Sequence, residues 1–191
     1  MRLMLKSATA LIAAGLLCAS GADAHIVGEH AGGFAAGAAH PFLGLDHVLA
    51  MLAIGLWTAQ AGARRSWAIP PSFLIAMAAG GALALSGFAM PHVEAGIAAS
   101  VLILGLIVAA ALRLPASAGA AVAGIFALLH GYAHGAELPI MVAPAAYAAG
   151  FLAATVVLIA SGYAVGRLLG NRLVRIAGLC VAVTGAAMLV G

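Results

Sequence analysis

Residues 40–60, HPFLGLDHVLAMLAIGLWTAQ, place two histidines and an aspartate at the head of an apolar run. From Val48 to Trp57 the side chains are continuously apolar, so they follow neither the alternation of a half-buried strand nor the single stripe of a soluble helix. Runs of about 20 such residues, enough to cross a hydrocarbon core of roughly 30 Å as a helix, recur along the chain. The whole composition agrees: 191 residues, 65% hydrophobic and 7% charged, with a mean hydropathy of +1.19. The fold class is therefore read as all-α, a polytopic membrane helical bundle. A β-barrel would need period-two alternation, which these runs do not have. The basic residues behind the net charge of +3 are few and scattered. They read as topology signals, with the lipid bilayer as partner and no nucleic acid.

Residues 1–24 have the form of a cleavable signal peptide. Arg2 and Lys6 precede a short apolar core, and Ala22-Asp23-Ala24 is a small-x-small cleavage site. Cleavage there makes His25 the new amino terminus. Residues 25–191 then form a single transmembrane domain with six spans, at about 41–60, 67–88, 93–112, 117–136, 140–163 and 172–190. Cys180 is the one cysteine of that mature chain, which leaves no internal disulfide. Small residues such as Gly80, Gly81, Gly105, Gly162 and Gly166 are suited to close helix packing.

The arginines orient the bundle. Arg64 and Arg65 fall between the first and second spans, Arg113 between the third and fourth, and Arg167, Arg172 and Arg175 between the fifth and sixth. The alternate connections carry no Lys or Arg, so the positive-inside rule makes the arginine side cytoplasmic and both mature termini periplasmic. Localisation in a bacterial inner membrane follows. On that topology every mature histidine and acid lies in an outer loop or the outer half of a span. The inner half has only Thr58, Gln60, Ser161 and Tyr163 as obvious polar groups.

Two clusters stand out in that outer half. If Pro41 opens a continuous first helix, then His40, Gly44, His47 and Met51 share one face, with Asp46 beside it and His47 about 9 Å below the helix start. In the fourth span, FALLHGYAHGAELP (residues 126–139) puts His130, His134 and Glu137 on one face at i, i+4 and i+7. Histidines four apart on a helix bring two imidazoles to one ion. At the same rise per residue, His130 lies roughly 9 Å from the outer surface, level with His47. Ionisable groups inside a bilayer are costly and point to function, and mixed imidazole and carboxylate donors suit divalent transition metals. The leader segment HIVGEH adds His25, Glu29 and His30 as a possible capture point. No Gly-x-x-x-x-Gly-Lys phosphate loop occurs, which excludes nucleotide drive within the chain.

These motifs resemble a known family. HPFLGLDHVLAM looks like the His-Pro-x-x-Gly-x-Asp-His-x-Leu-Ala-Met signature of the HupE/UreJ family, and FALLHGYAHGAELP is similar to its second motif. The pattern departs from relatives at Tyr132 and Ile159, where a histidine or other polar residue is frequent. The resemblance implies a secondary permease, not an enzyme, that moves Ni²⁺ or Co²⁺ without a prosthetic group. His40, Asp46, His47, His130, His134 and Glu137 would be its metal-handling residues. It also implies metallochaperones of hydrogenase, urease or cobalamin assembly as downstream partners, and leaves a homo-oligomer open. Histidine and carboxylate donors do not by themselves separate Ni²⁺ from Co²⁺ or Zn²⁺. The alternative is a membrane metal sensor or metalloenzyme with an outward-facing site and no transport.

Overall fold

A computed structural model describes residues 33–138 and 142–191. The expected signal peptide, His25, Glu29 and His30 lie outside the described residues. Among those described, regular structure is helical throughout. In chain order the helices are α1 (Gly33–Ala39), a 3-10 turn (His40–Phe42), α2 (Leu45–Ala61), a four-residue helical turn (Ala63–Ser66), α3 (Ile69–Leu85), α4 (Val93–Ala110), α5 (Ala116–Ala136), α6 (Pro144–Leu168) and α7 (Asn171–Val190).

Helices α4 to α7 are each long and apolar enough to cross a membrane. The α1 segment and α2 together make a fifth candidate, bent by 81° where they meet. The remaining helix, α3, is apolar but has only 17 residues, about 25 Å at 1.5 Å per residue. Against the six continuous spans expected, the described chain thus has four full-length helices, or five with the bent pair. Large apolar side chains such as Ile75, Ile125, Val157 and Val183 are exposed around the bundle. In water such a belt would drive association, whereas lipid is its ordinary solvent. The protein is a multi-pass membrane protein.

Proline and glycine set the helix limits. Pro70, Pro71 and Pro144 sit in first turns, where a missing N–H costs nothing, and Pro115 precedes α5. Gly62, with φ +76°, lets the chain turn sharply after α2.

The helices meet in pairs, α3 with α5, α4 with α7, and α6 with both α1 and α2. Reciprocal glycines allow this. A Cβ on Gly131 would strike the Met77 carbonyl, and one on Gly80 the Leu128 carbonyl, across the α3–α5 seam. Gly55 and Gly162 do the same for α2 and α6 against the Ile159 and Leu52 carbonyls. Gly105 and Gly185 bring α4 and α7 into backbone contact, and Gly37 and Gly150 serve α1 and α6. Without an apolar effect between helices in lipid, such close van der Waals contact is the main source of association. The core between the pairs holds Met51, Ile54, Trp57, Phe73, Met77, Leu104 and Val108, each 2% exposed or less.

The two ends of the bundle differ in kind. At one end Trp57 Nε1 donates to the Leu112 carbonyl at 2.9 Å, and Gln60 Nε2 to the Val108 carbonyl at 3.1 Å and the Asn171 side chain at 3.3 Å. Arg64, Arg65, Arg113, Arg167, Arg172 and Arg175 belong to the connections and helix termini of this end. The opposite end carries the histidines.

Candidate metal centre

The first motif is not one continuous helix. Gly44 is extended (φ −102°, ψ 121°) and ends the 3-10 turn just before α2 begins. His40 therefore sits on its own turn, and the expected stripe of His40, Gly44, His47 and Met51 is broken between its first two members. The cause is local. Gly44 bears no side chain, and a Cβ there would lie 2.6 Å from Asp46 Oδ1 and 2.9 Å from His47 Nδ1. The break swings His40 over α5 and α6 instead of leaving it a turn above His47.

Four imidazoles then form a continuous file. Ring centroids are 4.6 Å apart for His40–His134, 3.9 Å for His134–His47 and 4.9 Å for His47–His130. A carboxylate stands at each side of the file. Glu137 Oε2 lies 3.5 Å from His40 Nε2 and 3.9 Å from His134 Nδ1. Asp46 Oδ1 is 2.9 Å from His47 Nδ1 and also accepts the His47 backbone N–H at 2.9 Å. Exposure falls along the way: the Glu137 side chain is 58% exposed and that of His40 26%, those of His134 and His47 6%, and His130 is 0% exposed. The arrangement is a funnel from an open carboxylate to a sealed imidazole.

The hydrogen bonds orient the lone pairs. Carboxylate and carbonyl oxygens can only accept, so His47 donates its Nδ1–H to Asp46, and His130 donates its own to the Phe126 carbonyl at 2.8 Å. Each ring then presents a bare Nε2, and an oxygen that accepts the other ring N–H and so fixes the tautomer is the usual support of a metal-binding histidine. Among the described residues, both of those Nε2 atoms are buried with no hydrogen-bond partner, and so are both ring nitrogens of His134. Leaving a buried polar atom unpaired costs about 1–3 kcal/mol each. One of the two His134 nitrogens carries the ring proton, so the cluster offers three bare lone pairs, a donor set suited to a divalent transition metal. One donor atom each from His40, His134 and Glu137 can be chosen so that all lie within 4.8 Å of one another, a spacing that one ion can bridge.

The structure thus brings together all six motif residues that it describes. Spacing along the chain did not reveal the walls. Tyr147 and Phe151 of α6 pack on His40 and His134, with Phe151 centred 4.3 Å from His134. Their i, i+4 spacing on α6 was the available signal. Met51, Met77 and Thr155 are buried in the core, with Thr155 Oγ1 3.6 Å from Met77 Sδ. Tyr132, between the two motif histidines, faces elsewhere. Its hydroxyl donates to the Phe88 carbonyl at 2.7 Å and accepts the Met90 N–H at 2.9 Å, which ties the α3–α4 connection to α5. His92 is exposed, at the start of α4 with φ +56°.

Fold and site together define a multi-pass helical membrane protein with a buried histidine and carboxylate cluster near one end of the bundle. Residues 12–188 match the HupE/UreJ protein family. The chain is also 48% identical over 182 residues to Protein HupE of Rhizobium leguminosarum bv. viciae, covering 93% of this chain and 95% of that one. It belongs to the HupE/UreJ family, whose members are related to nickel and cobalt transport. No solved structure matches it.

Proposed function

We propose that the protein is a secondary permease of the bacterial inner membrane that carries Ni²⁺, or Co²⁺, from periplasm to cytoplasm, in a fold of six spans behind a cleaved signal peptide. Counting the bent pair α1–α2 as the first span and the short α3 as the second makes six. The arginine end then faces the cytoplasm by the positive-inside rule, and the histidine end faces out. The observation that carries the reading is the file of four imidazoles with a carboxylate at each side and four buried ring nitrogens unpaired among the described residues.

On this reading Glu137 and His40 meet the cation where water is still available. His134, His47 and His130 replace the remaining hydration shell step by step, Asp46 holds His47 in its binding tautomer, and the leader residues His25 and His30 gather ions outside. Sharing the cation among successive nitrogens keeps any single step from becoming a trap. A membrane potential favours inward movement by about 2.3 kcal/mol per charge per 100 mV, and roughly twice that for a divalent ion. No further energy source and no catalytic group is required. Uptake into proteoliposomes from a panel of Ni²⁺, Co²⁺ and Zn²⁺ tests this directly. Wild-type vesicles should accumulate Ni²⁺ or Co²⁺ and His47→Ala vesicles should not; equal accumulation by both would defeat the reading.

One observation favours a second reading, a metal sensor or metalloenzyme that does not conduct. The core between the helix pairs is apolar, and buried Thr and Ser hydroxyls there bond their own helices: Thr58 donates to the Ile54 carbonyl, Ser100 to that of Ile97 and Thr155 to that of Phe151. Tight metal binding by vesicles that accumulate none would support it.

A further inference from the structure

Away from the histidines, a groove of about 380 Å³ opens between the end of α4 and the start of α7, lined by Ala109, Asn171, Arg172, Arg175, Ile176 and Leu179. Its polar side is preorganised. Arg175 Nε donates to the Ala109 carbonyl at 2.7 Å, which anchors the guanidinium against α4 and leaves its Nη groups without a protein partner among the described residues. The Asn171 oxygen is engaged by Gln60, so its amide hydrogens stay free as donors. Arg172 is exposed, and neither arginine forms an ion pair among the described residues. The acids Asp46, Glu94 and Glu137 belong to the other end of the bundle, about 25 Å away along α4. The remaining wall is greasy, with Ile176 and Leu179 half-exposed on the surface of a membrane-crossing helix.

We propose that this groove binds the headgroup of an anionic phospholipid, its phosphate held by Arg172 and Arg175 and an acyl chain lying along Ile176 and Leu179. Charge complementarity selects the occupant. Two guanidiniums with no carboxylate partner match a phosphate in bidentate geometry, and basic pockets between membrane helices are where anionic headgroups settle. A soluble phosphate compound would use the guanidiniums but not the apolar wall. The bound lipid staples α4 to α7 at the end of the bundle where the described residues supply only positive charge. This inference does not rest on the metal reading.

The test uses the purified full chain in detergent, titrated with phosphatidylglycerol or phosphatidylcholine and read by native mass spectrometry. Phosphatidylglycerol should be retained roughly tenfold more tightly, since each basic residue near an anionic surface adds several-fold. Arg172→Gln with Arg175→Gln should abolish the preference. Arg64→Gln with Arg113→Gln removes equal charge outside the groove and should keep it. Millimolar inorganic phosphate should leave the lipid bound. Equal retention of the two lipids by the wild type overturns the proposal, as does equal loss in both double variants or displacement by phosphate. Arg172→Gln alone, at an exposed side chain with no protein partner, should weaken the preference even if the groove double variant does not fold; an unchanged preference in it counts against the site.

Discussion

The two ends of this bundle solve opposite problems with polar side chains. At the arginine end, polar groups are spent on helix ends: Trp57 and Gln60 satisfy the carbonyls of Leu112 and Val108, and Arg175 that of Ala109. At the histidine end, His47, His130 and His134 bury four ring nitrogens that have no hydrogen-bond partner among the described residues. In the first case hydrogen bonds tie helix ends together, with the Gln60 side-chain oxygen alone left over among these groups. In the second, the fold withholds partners and keeps the nitrogens available. Buried polar atoms are ordinarily paired, so the concentration of unpaired nitrogens at one end supports the metal site proposed there.

That contrast can be broken most severely at His130. His130→Ala should weaken Ni²⁺ binding by about a hundredfold or more, beyond the 10–100-fold typical of a ligand's hydrogen-bonding partner, and lower the thermal midpoint by emptying a fully buried position. Calorimetric titration in detergent with a melting curve would check both, and a lower midpoint with unchanged affinity would assign His130 to structure. Asp46→Asn should cost about 10–100-fold in the same titration, because it loosens the tautomer of His47 while removing no nitrogen ligand. An unchanged affinity would separate Asp46 from the site.

A third change probes the scaffold between the two ends. Gly131→Val drives a side chain into the Met77 carbonyl and should destabilise the protein by about 1–3 kcal/mol, seen as a lower thermal midpoint. Gly124→Ala, whose new Cβ would lie 3.7 Å from Ala76, should be tolerated on the same helix. The smallest effect is expected at the arginine end. Gln60→Ala removes two interhelical hydrogen bonds and should cost about 0.6 kcal/mol per bond, with no change in metal affinity. A change in affinity from Gln60→Ala would show that the two ends are coupled.

Much of the fold was legible because membrane helices announce themselves locally. The limits expected for the third, fourth and sixth spans, 93–112, 117–136 and 172–190, lie close to Val93–Ala110, Ala116–Ala136 and Asn171–Val190. The fifth was expected at 140–163 and runs instead over Pro144–Leu168, its start set by the proline and its end carried one residue past Arg167. The first was misread as unbroken, since a glycine inside an apolar run is equally at home in a helix and at a bend. Gly44 takes the bend because Asp46 and His47 fold back into the space its side chain would fill.

The sequence alone determined the membrane class, the segregation of arginines from histidines, the two motifs and, through them, the family. Each depends on composition and spacing within about 20 residues, the range over which a helix orders its own side chains. Only the tertiary structure decided the order of the file from Glu137 through His40, His134 and His47 to His130, the aromatic wall of Tyr147 and Phe151, and the turning of Tyr132 away from the site. Those depend on how far apart the helices stand and where α2 is broken. Glycines meeting carbonyls across the seams determine the spacing of the helices, and chain spacing does not record which seam each glycine enters.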